Sequence, residues 1–348
     1  MRVLLGMSGG LDSAYSARRL LDAGHAVEGA VLRMHEYTEL DAARACAREL
    51  GIPLHELDVT RRFRECVIKS FAEEYRSGRT PNPCILCNER VKLKALYEYA
   101  TENGFDRIAT GHYARIAEID GRHSILKGND PTKDQSYVLW RLDEGVLARL
   151  MLPLGEMRKS EVRALAREAS ISAAEKAESR DICFIPDGDY AAFLESSFGA
   201  FPEGEFVDES GRVLGRHRGI HRYTVGQRRG LGVSMGERMY VKAIDPHSSR
   251  IVLARAGEAS VSELYLKDAV FSGMDRPQIG ESFTADAVLR YQARPVRAEI
   301  RSLGETLCVR LHEPRHSVTA GQSAVFYRGD LLLFGGVVCE KTQTIENA

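Results

Sequence analysis

The chain has 348 residues, 44% hydrophobic and 28% charged, the balance of a globular protein with room for two or three cores. Its 48 lysines and arginines against 49 acidic residues give a formal net charge of −1, which argues against an indiscriminate polyanion binder and leaves room for local basic clusters. No run approaches the roughly 18 apolar residues of a membrane span. The start "MRVLLGMSGG" is too short in its apolar part for a secretory signal. A cytosolic protein without structural disulfides and without a membrane partner is therefore expected.

In chain order, "RVLLGM" predicts a short buried strand, "SGGLDS" a turn and "AYSARRLLDAG" a helix ending at Gly24. "HAVEGAVLRM" predicts a second strand. "TELDAARACARELG" predicts a second helix, with Thr38 as N-cap and Gly51 past its end. "LHELDV" reads as a third strand, "RRFRECVIKSFAEEYRSG" and "NERVKLKALYEYATENG" as two more helices, and "RIATGHY" as a strand. This alternation implies a parallel, Rossmann-like sheet with helices on both faces, binding ligands at the carboxyl ends of its strands. After residue 198 the pattern changes. "FGAFPEGEF" reads as a linker, and short alternating runs such as "MYVKAI", "FTADAVLRY", "TLCVRLH" and "LLLFGGVV" predict small β domains. The expected organisation is an α/β catalytic domain over 1–198, a small β-rich domain over 202–260 and a C-terminal β-barrel over 264–346.

The turn "SGGLDS" joins the first strand to the first helix. Gly9 and Gly10 let the backbone turn tightly and approach a ligand. The helix N-terminus offers N–H groups to an anion, and Ser8 and Ser13 add hydroxyls. The set reads as a pyrophosphate cradle and is not a Walker A loop, because the G-K-[ST] ending is missing. It resembles the loop of the PP-loop ATPases, which cleave ATP to AMP and pyrophosphate. The plainer reading is a glycine turn kept for geometry.

Seven cysteines without dense spacing do not form a disulfide framework. Cys46 and Cys66 fall in helical patterns and Cys308 and Cys339 in strand-like ones, where small buried apolar roles are expected. Cys84 and Cys87 in "TPNPCILCN", and Cys183 in "SRDICFIPDG", fall instead in proline-containing loops. A structural zinc site is short of ligands. Three thiols suffice for a [4Fe–4S] cluster with one open iron, and two suffice for a nucleophile and persulfide pair that closes transiently into a disulfide. Both uses stay open beside the incidental one.

Seven blocks in order, "GMSGGLDS", "GRTPNPCILCNERVK", "ATGHYAR", "KDQSYVLW", "SRDICFIPDGDY", "GIHRYTVGQRRGLG" and "TAGQSAVFYRGD", resemble the tRNA-specific 2-thiouridylase family over nearly the whole chain. The resemblance implies an ATP-dependent tRNA uridine 2-sulfurtransferase that adenylates the C2 oxygen of the wobble uridine (U34) and replaces it with sulfur. It implies Cys87 as nucleophile and Cys183 as the persulfide carrier. ATP would be bound by Gly6, Met7, Ser8, Gly9, Gly10, Leu11, Asp12 and Ser13, with Leu32 and Gly111. Asp12 is a candidate to position Mg²⁺, with a helix cap as its plainer role. Asn82, Pro83 and Cys84 would lie against the target base, which must leave its stack. His112, Lys133, Asp134, Gln135, Arg290, Tyr291 and Gln322 would touch tRNA, although a packed strand-end role is the plainer one for His112. A cysteine desulfurase or sulfur relay protein is implied as donor.

Residues 215 to 230 carry five arginines and no acid, and residues 290 to 301 carry four arginines. Tyr223 and Tyr291 stand among them as base-stacking candidates. The plainer reading is a solvated β surface. The sequence departs from the family at four places. Cys84 stands where some members have Asp, "HEYTELDAARA" lacks a cysteine-containing insert, Ala320 replaces a frequent Pro, and Phe334 interrupts a glycine run. Two other functions stay in view. One is a PP-loop ligase or amidotransferase that adenylates a small acid. The other is a non-catalytic, cysteine-coordinated RNA-binding module.

Overall fold

The computed structural model describes residues 1–176, 182–233, 236, 238–255, 260–316 and 318–339. The expected C-terminal limit at 346 and the Ser179-Arg180-Asp181 part of the Cys183 block lie outside them.

The N-terminal part begins β1 (Arg2–Gly6), α1 (Leu11–Asp22), β2 (Ala26–Arg33), α2 (Leu40–Leu50) and β3 (Leu54–Asp58). It continues through α3 (Thr60–Phe63), a wider π-type turn at Arg64–Ile68, and α4 (Lys69–Arg76). Next come α5 (Pro83–Cys87), a second π-type turn at Asn88–Lys92, α6 (Leu93–Glu102), β4 (Arg107–Ala109), β5 (Ala114–Ile119) and β6 (Arg122–Lys127). The last pieces are α7 (Glu144–Leu147), β7 (Leu150–Met151), α8 (Lys159–Glu168) and α9 (Tyr190–Phe198). Five strands form a parallel sheet in the order β3-β2-β1-β4-β7. The chain runs outward one way from β1 to β3 and then crosses to the other side at β4. The carboxyl ends of β1 and β4 therefore flank the topological switch point, where such sheets bind ligands. β1 can sit at the centre because Val3, Leu4 and Leu5 are apolar on both faces and fully buried.

Two local expectations change. The N-cap of α2 is Glu39. Thr38 instead accepts the Met34 and His35 amides, at 3.2 Å each, and so shapes the loop before the helix. The "PNPC" stretch is not a loop. Asn82 caps α5 by accepting the Cys84 amide, and Pro83 occupies the first helical position. That position suits proline because its missing N–H has no partner there anyway. Cys84 and Cys87 thus stand three residues apart on a helix that runs on into α6. Cys66, Cys308 and Cys339 are half-buried where full burial was expected.

The middle part holds β8 (Gly204–Val207), β9 (Val213–His217), β10 (Met239–Asp245) and β11 (Arg250–Arg255), in the order β10-β11-β8-β9. Phe206, Ile220, Val241, Ile251 and Leu253 form its core. The C-terminal part holds β12 (Ser260–Phe271), β13 (Ser282–Val288), β14 (Val296–Ser302), β15 (Leu307–His316), β16 (Ser323–Arg328) and β17 (Leu331–Cys339). These six pair in the order β12-β15-β14-β13-β16-β17, and β12 pairs back with β17 to close a barrel. Phe334 fills that barrel, stacked 4.3 Å from Phe326 and 4.9 Å from Phe271.

The barrel is not a separate bead. The β5–β6 hairpin, which belongs to the first part in sequence, joins β17 through Leu126 and Leu331. One apolar cluster holds Tyr137, Leu139 and Trp140 together with Val325, Tyr327 and Leu332 of the barrel. Gly335 lets the fully buried Trp140 approach: a Cβ there would come within 2.4 Å of the indole. Among the described residues no helix is long and apolar enough to cross a membrane.

Candidate active site

The SGGLDS turn leaves β1 at the switch point. Gly9 adopts φ +74°, and a Cβ on it would lie 2.4 Å from the Ala42 carbonyl carbon, so the turn is pressed against α2. Ser13 accepts the Ser8 amide at 3.2 Å and donates to the Gly10 carbonyl at 3.0 Å. α1 then starts at Leu11 with Gly10 as an N-cap that has no capping side chain, which leaves first-turn amides open to an anion. Gly111, from the carboxyl end of β4, faces the same turn. A Cβ there would sit 2.9 Å from the backbone of Asp12. Gly6, Met7, Ser8, Gly9, Gly10, Leu11, Asp12, Ser13 and Gly111 are thus brought together, while Leu32 is buried at the end of β2 among the residues that pack around Cys87.

Asp12 is not a helix cap. Lys159, at the start of α8, reaches both of its oxygens, at 2.6 and 2.7 Å, and Tyr113 donates to one at 2.8 Å. The carboxylate is neutralised by an ammonium and does not stand open as a metal ligand. Lys176 donates to the Gly9 carbonyl at 3.1 Å. Neither lysine nor Tyr113 was singled out from the sequence. Each lies far from the turn along the chain, and although Tyr113 falls in the "ATGHYAR" block, nothing local shows that any of the three meets Asp12 or Gly9.

Cys87 stands at the carboxyl end of β2, the strand next to β1. Cys87 is buried, and its Sγ lies 3.9 Å from Met34 Sδ, just past the end of β2. Burial pushes its pKa up to about 11, with Lys92 pulling the other way and the Cys183 and Cys84 thiols adding to the rise. Cys183 is exposed at its surface but backed by buried Phe184 and Ile185. Partial desolvation raises its pKa as well, and again Lys92 opposes the rise. Burial pushes the Lys92 ammonium down, and the thiols of Cys87, Cys84 and Cys183 more than offset it, so its pKa is raised. Lys92 is therefore the cation all three thiols share, set by the π-type turn that follows Cys87. Among the described residues no three Cys, His, Asp or Glu side chains form a metal-holding group.

The other expected site residues divide. Tyr291, on the loop between β13 and β14, lies near Cys84 and 5.9 Å from the Tyr137 ring. Burial is the main cause that raises its pKa, with Asp134 and Cys84 contributing. Arg290 beside it is exposed. His112 lies 2.8 Å from Thr110 Oγ1, and burial, then Lys92, pushes its pKa down to about 3, so it is neutral. Four residues do structural work. Asn82 caps α5 over buried Pro83. Asp134 accepts the Gly128 and Ser136 amides, and the Gln135 side chain accepts the Tyr113 amide. The Lys133 amide closes a turn onto Asp130. Gln322 Oε1 is buried without a hydrogen-bond partner among the described residues.

The basic stretch over 215–230 is only partly a surface. His217 and His221 are buried, Arg222 is paired with Glu195 at 2.6 Å, and Tyr223 is half-buried, packed 5.1 Å from Phe206. Arg216, Arg218, Arg228 and Arg229 remain exposed.

A parallel sheet with an S-G-G-x-D-S turn at its switch point, followed by two small β domains, defines an enzyme of the PP-loop ATP-utilising class. Family models described as a tRNA methyl transferase HUP domain, a tRNA methyl transferase PRC-barrel domain and an aminomethyltransferase beta-barrel domain match residues 1–187, 191–255 and 261–338. The chain is 42% identical over 356 residues to the tRNA-specific 2-thiouridylase MnmA of Carboxydothermus hydrogenoformans, covering 97% of each. It is 43% identical over 345 residues to that of Syntrophotalea carbinolica, covering 96% of this chain and 97% of the relative. A solved 4-thiouridine synthetase–RNA complex with bound ATP overlaps 56% of this chain and 50% of its own, at 20% identity and a TM-score of 0.34, a partial likeness only. The chain belongs to the tRNA-specific 2-thiouridylase family.

Proposed function

We propose that this protein is an ATP-dependent tRNA uridine 2-sulfurtransferase acting on the wobble uridine through Cys87 and Cys183. The observation that supports the reading is the placement of Cys87 and the phosphate turn at the carboxyl ends of neighbouring strands. Cys87 packs against Leu32 and Met34 at the carboxyl end of β2, and β2 is the neighbour of β1, whose carboxyl end bears Ser8 to Ser13.

The C2 oxygen of uridine attacks the α-phosphorus of MgATP, and pyrophosphate leaves. Mg²⁺, brought in on the nucleotide, would screen the charge of the phosphates, and no residue of the turn stands open to hold it, because Asp12 is paired with Lys159. The terminal sulfur of a Cys183 persulfide then bonds to C2, and AMP departs with the original oxygen. The Cys87 thiolate attacks Cys183 Sγ, the S–S bond to the transferred sulfur breaks, and 2-thiouridine is released. A Cys87–Cys183 disulfide remains, to be reduced by two electrons from an external thiol. Exposed Cys183 suits reloading by a donor protein, a cysteine desulfurase or a relay protein, in the cytoplasm. Lys92 lowers the cost of ionising whichever thiol reacts. Tyr291, Arg290 and Cys84 form the face on which the extruded base and its neighbours would rest, with neutral His112 as a hydrogen-bonding rather than a charged contact.

The test is thiolation of unmodified tRNA with ATP and a sulfur donor, after anaerobic purification with iron and labile-sulfide analysis. Loss of activity in Cys87→Ala and Cys183→Ala, with Cys84→Ala active and no iron, is the expected result. Iron that is required together with Cys84 would replace the persulfide scheme by a cluster mechanism. Full ATP turnover in Cys87→Ser, without tRNA thiolation in any form, would favour a small-acid ligase.

A further inference from the structure

The phosphate turn raises a charge problem. A Walker A loop carries its own lysine for the β- and γ-phosphates, whereas SGGLDS carries none and adds the negative Asp12. A strongly anionic triphosphate placed on the α1 N-terminus would meet that carboxylate unless cations came from elsewhere. The fold brings two. Lys159 sits at the start of α8 and its side chain is 11% exposed. It is locked on Asp12 at 2.6 Å and is committed to cancelling that charge.

Lys176 is placed differently. Its side chain is 45% exposed, and its ammonium rests on the Gly9 carbonyl at 3.1 Å and 3.6 Å from Glu39, itself 72% exposed. Both partners are replaceable: one is a neutral carbonyl and the other a solvated carboxylate whose pairing is weak. The base of the side chain is held. The Lys176 amide bonds to the Ala173 carbonyl at 3.2 Å, and Arg163 donates to the Ala174 carbonyl at 2.6 Å. Ser172, at the start of the same short turn, is bound through its amide and hydroxyl to Glu49 of α2. Gly9 cannot retreat, because it is pressed on the Ala42 backbone. A mobile cation is thus anchored against the outer edge of a rigid phosphate turn.

We propose that Lys176 is the phosphate-binding lysine of this site. On nucleotide binding it exchanges the Gly9 carbonyl and Glu39 for the β- and γ-phosphates of ATP and stabilises the leaving pyrophosphate. The proposal rests on the ATP-dependent reading above. No atom is transferred to Lys176, which stays protonated and acts as a donor and a counter-charge.

The test uses the full-length protein and its variants Lys176→Met, Lys176→Gln and Lys176→Arg. Binding of MgATP, pyrophosphate and AMP is measured by titration calorimetry, and AMP formation is measured in single turnover with tRNA. Charge-assisted hydrogen bonds of this kind put the expected loss for Lys176→Met at about ten- to a hundredfold in ATP and pyrophosphate affinity. AMP affinity should stay within about twofold, because AMP lacks the phosphates concerned. Lys176→Arg, which keeps the charge, should recover most of the loss, and Lys176→Gln keeps the test alive should the Met variant fail to fold. Unchanged ATP affinity in the Met and Gln variants would overturn the proposal and leave Lys176 as a structural tie for Gly9. Equal weakening of ATP and AMP would also overturn it, by showing a damaged turn. A wild-type protein that binds no MgATP at all would instead sink the ATP-dependent reading itself.

Discussion

Burial separates the thiols of the active site before any substrate arrives. Cys87 is turned toward Met34 with a pKa near 11, whereas Cys84 and Cys183 face solvent. Alkylation needs both a thiolate and access. Limiting iodoacetamide at about pH 7.5 should therefore modify Cys84 and Cys183 before Cys87. Peptide mapping that found Cys87 labelled first would show that its apolar cover is not the resting arrangement. His112 supplies a second prediction at this scale. Its folded pKa, about 3, lies below the ordinary histidine value of 6.5, so the unfolded chain binds the extra proton. Stability from this residue is then full above pH 6.5 and falls as the pH drops toward 3. His112→Asn should lose less thermal stability between neutral and mildly acidic pH than the wild type. Parallel melting curves for the two would show that His112 does not stay neutral in the folded protein.

At the scale of elements, two adjacent glycines that look alike in the sequence do different work. Gly9 needs a left-handed backbone and abuts the Ala42 main chain, while a Cβ on Gly10 would meet only Ser8 Oγ at 3.5 Å. Backbone cannot step aside as a side-chain tip can. Gly9→Ala should therefore shift the turn, weaken ATP binding and destabilise the fold by at least ~1 kcal/mol. Gly10→Ala should melt near the wild-type temperature. A Gly9→Ala protein with wild-type melting and ATP affinity would show that the turn is not pinned against α2. The start of α5 was hidden for a related reason. Runs of Asn and Pro such as "TPNPC" signal turns, yet the same residues are an N-cap and a first helical position when a helix follows. The sequence reading placed the helix start at Asn88, five residues late.

At the scale of the whole molecule, the junction between sheet domain and barrel is a packed core. Trp140 is fully buried against Gly335, among Val325, Tyr327 and Leu332. Tyr137 donates to the Ser323 carbonyl at 2.7 Å across the same seam. A methyl group 2.4 Å from the indole has no free space. Gly335→Ala should therefore cost about 1–3 kcal/mol through overpacking. Trp140→Phe in the same chain should return part of that loss, a coupling that a double-mutant cycle on melting or denaturant midpoints would read. Additive effects of the two changes would show that they do not meet. This seam also fixes where Tyr291 stands. The loop that carries it extends from the barrel, and Gln292 donates to the Thr132 carbonyl at 3.3 Å in the first domain. A barrel residue reaches the thiols because the hairpin β5–β6 and the Trp140 cluster hold the two parts together.

What could be read in the chain was local or periodic. The SGGLDS turn between a strand and a helix, the alternation that makes a parallel sheet, the change to short strands after residue 198 and the ordered family blocks were all legible, because each is written within a few consecutive residues. What the tertiary structure alone decided depends on approach across the fold. Lys159 meets Asp12 from 147 positions away and Lys176 meets Gly9 from 167, and an ion pair between distant lysines and a turn leaves no mark in spacing. The burial of Cys87, the packing of Tyr223 and the joining of β6 to β17 are likewise outcomes of which surfaces exclude water together. Local sequence sets what each segment can become. The charge around the phosphates and the reactivity of the thiols are set by which segments come to face one another.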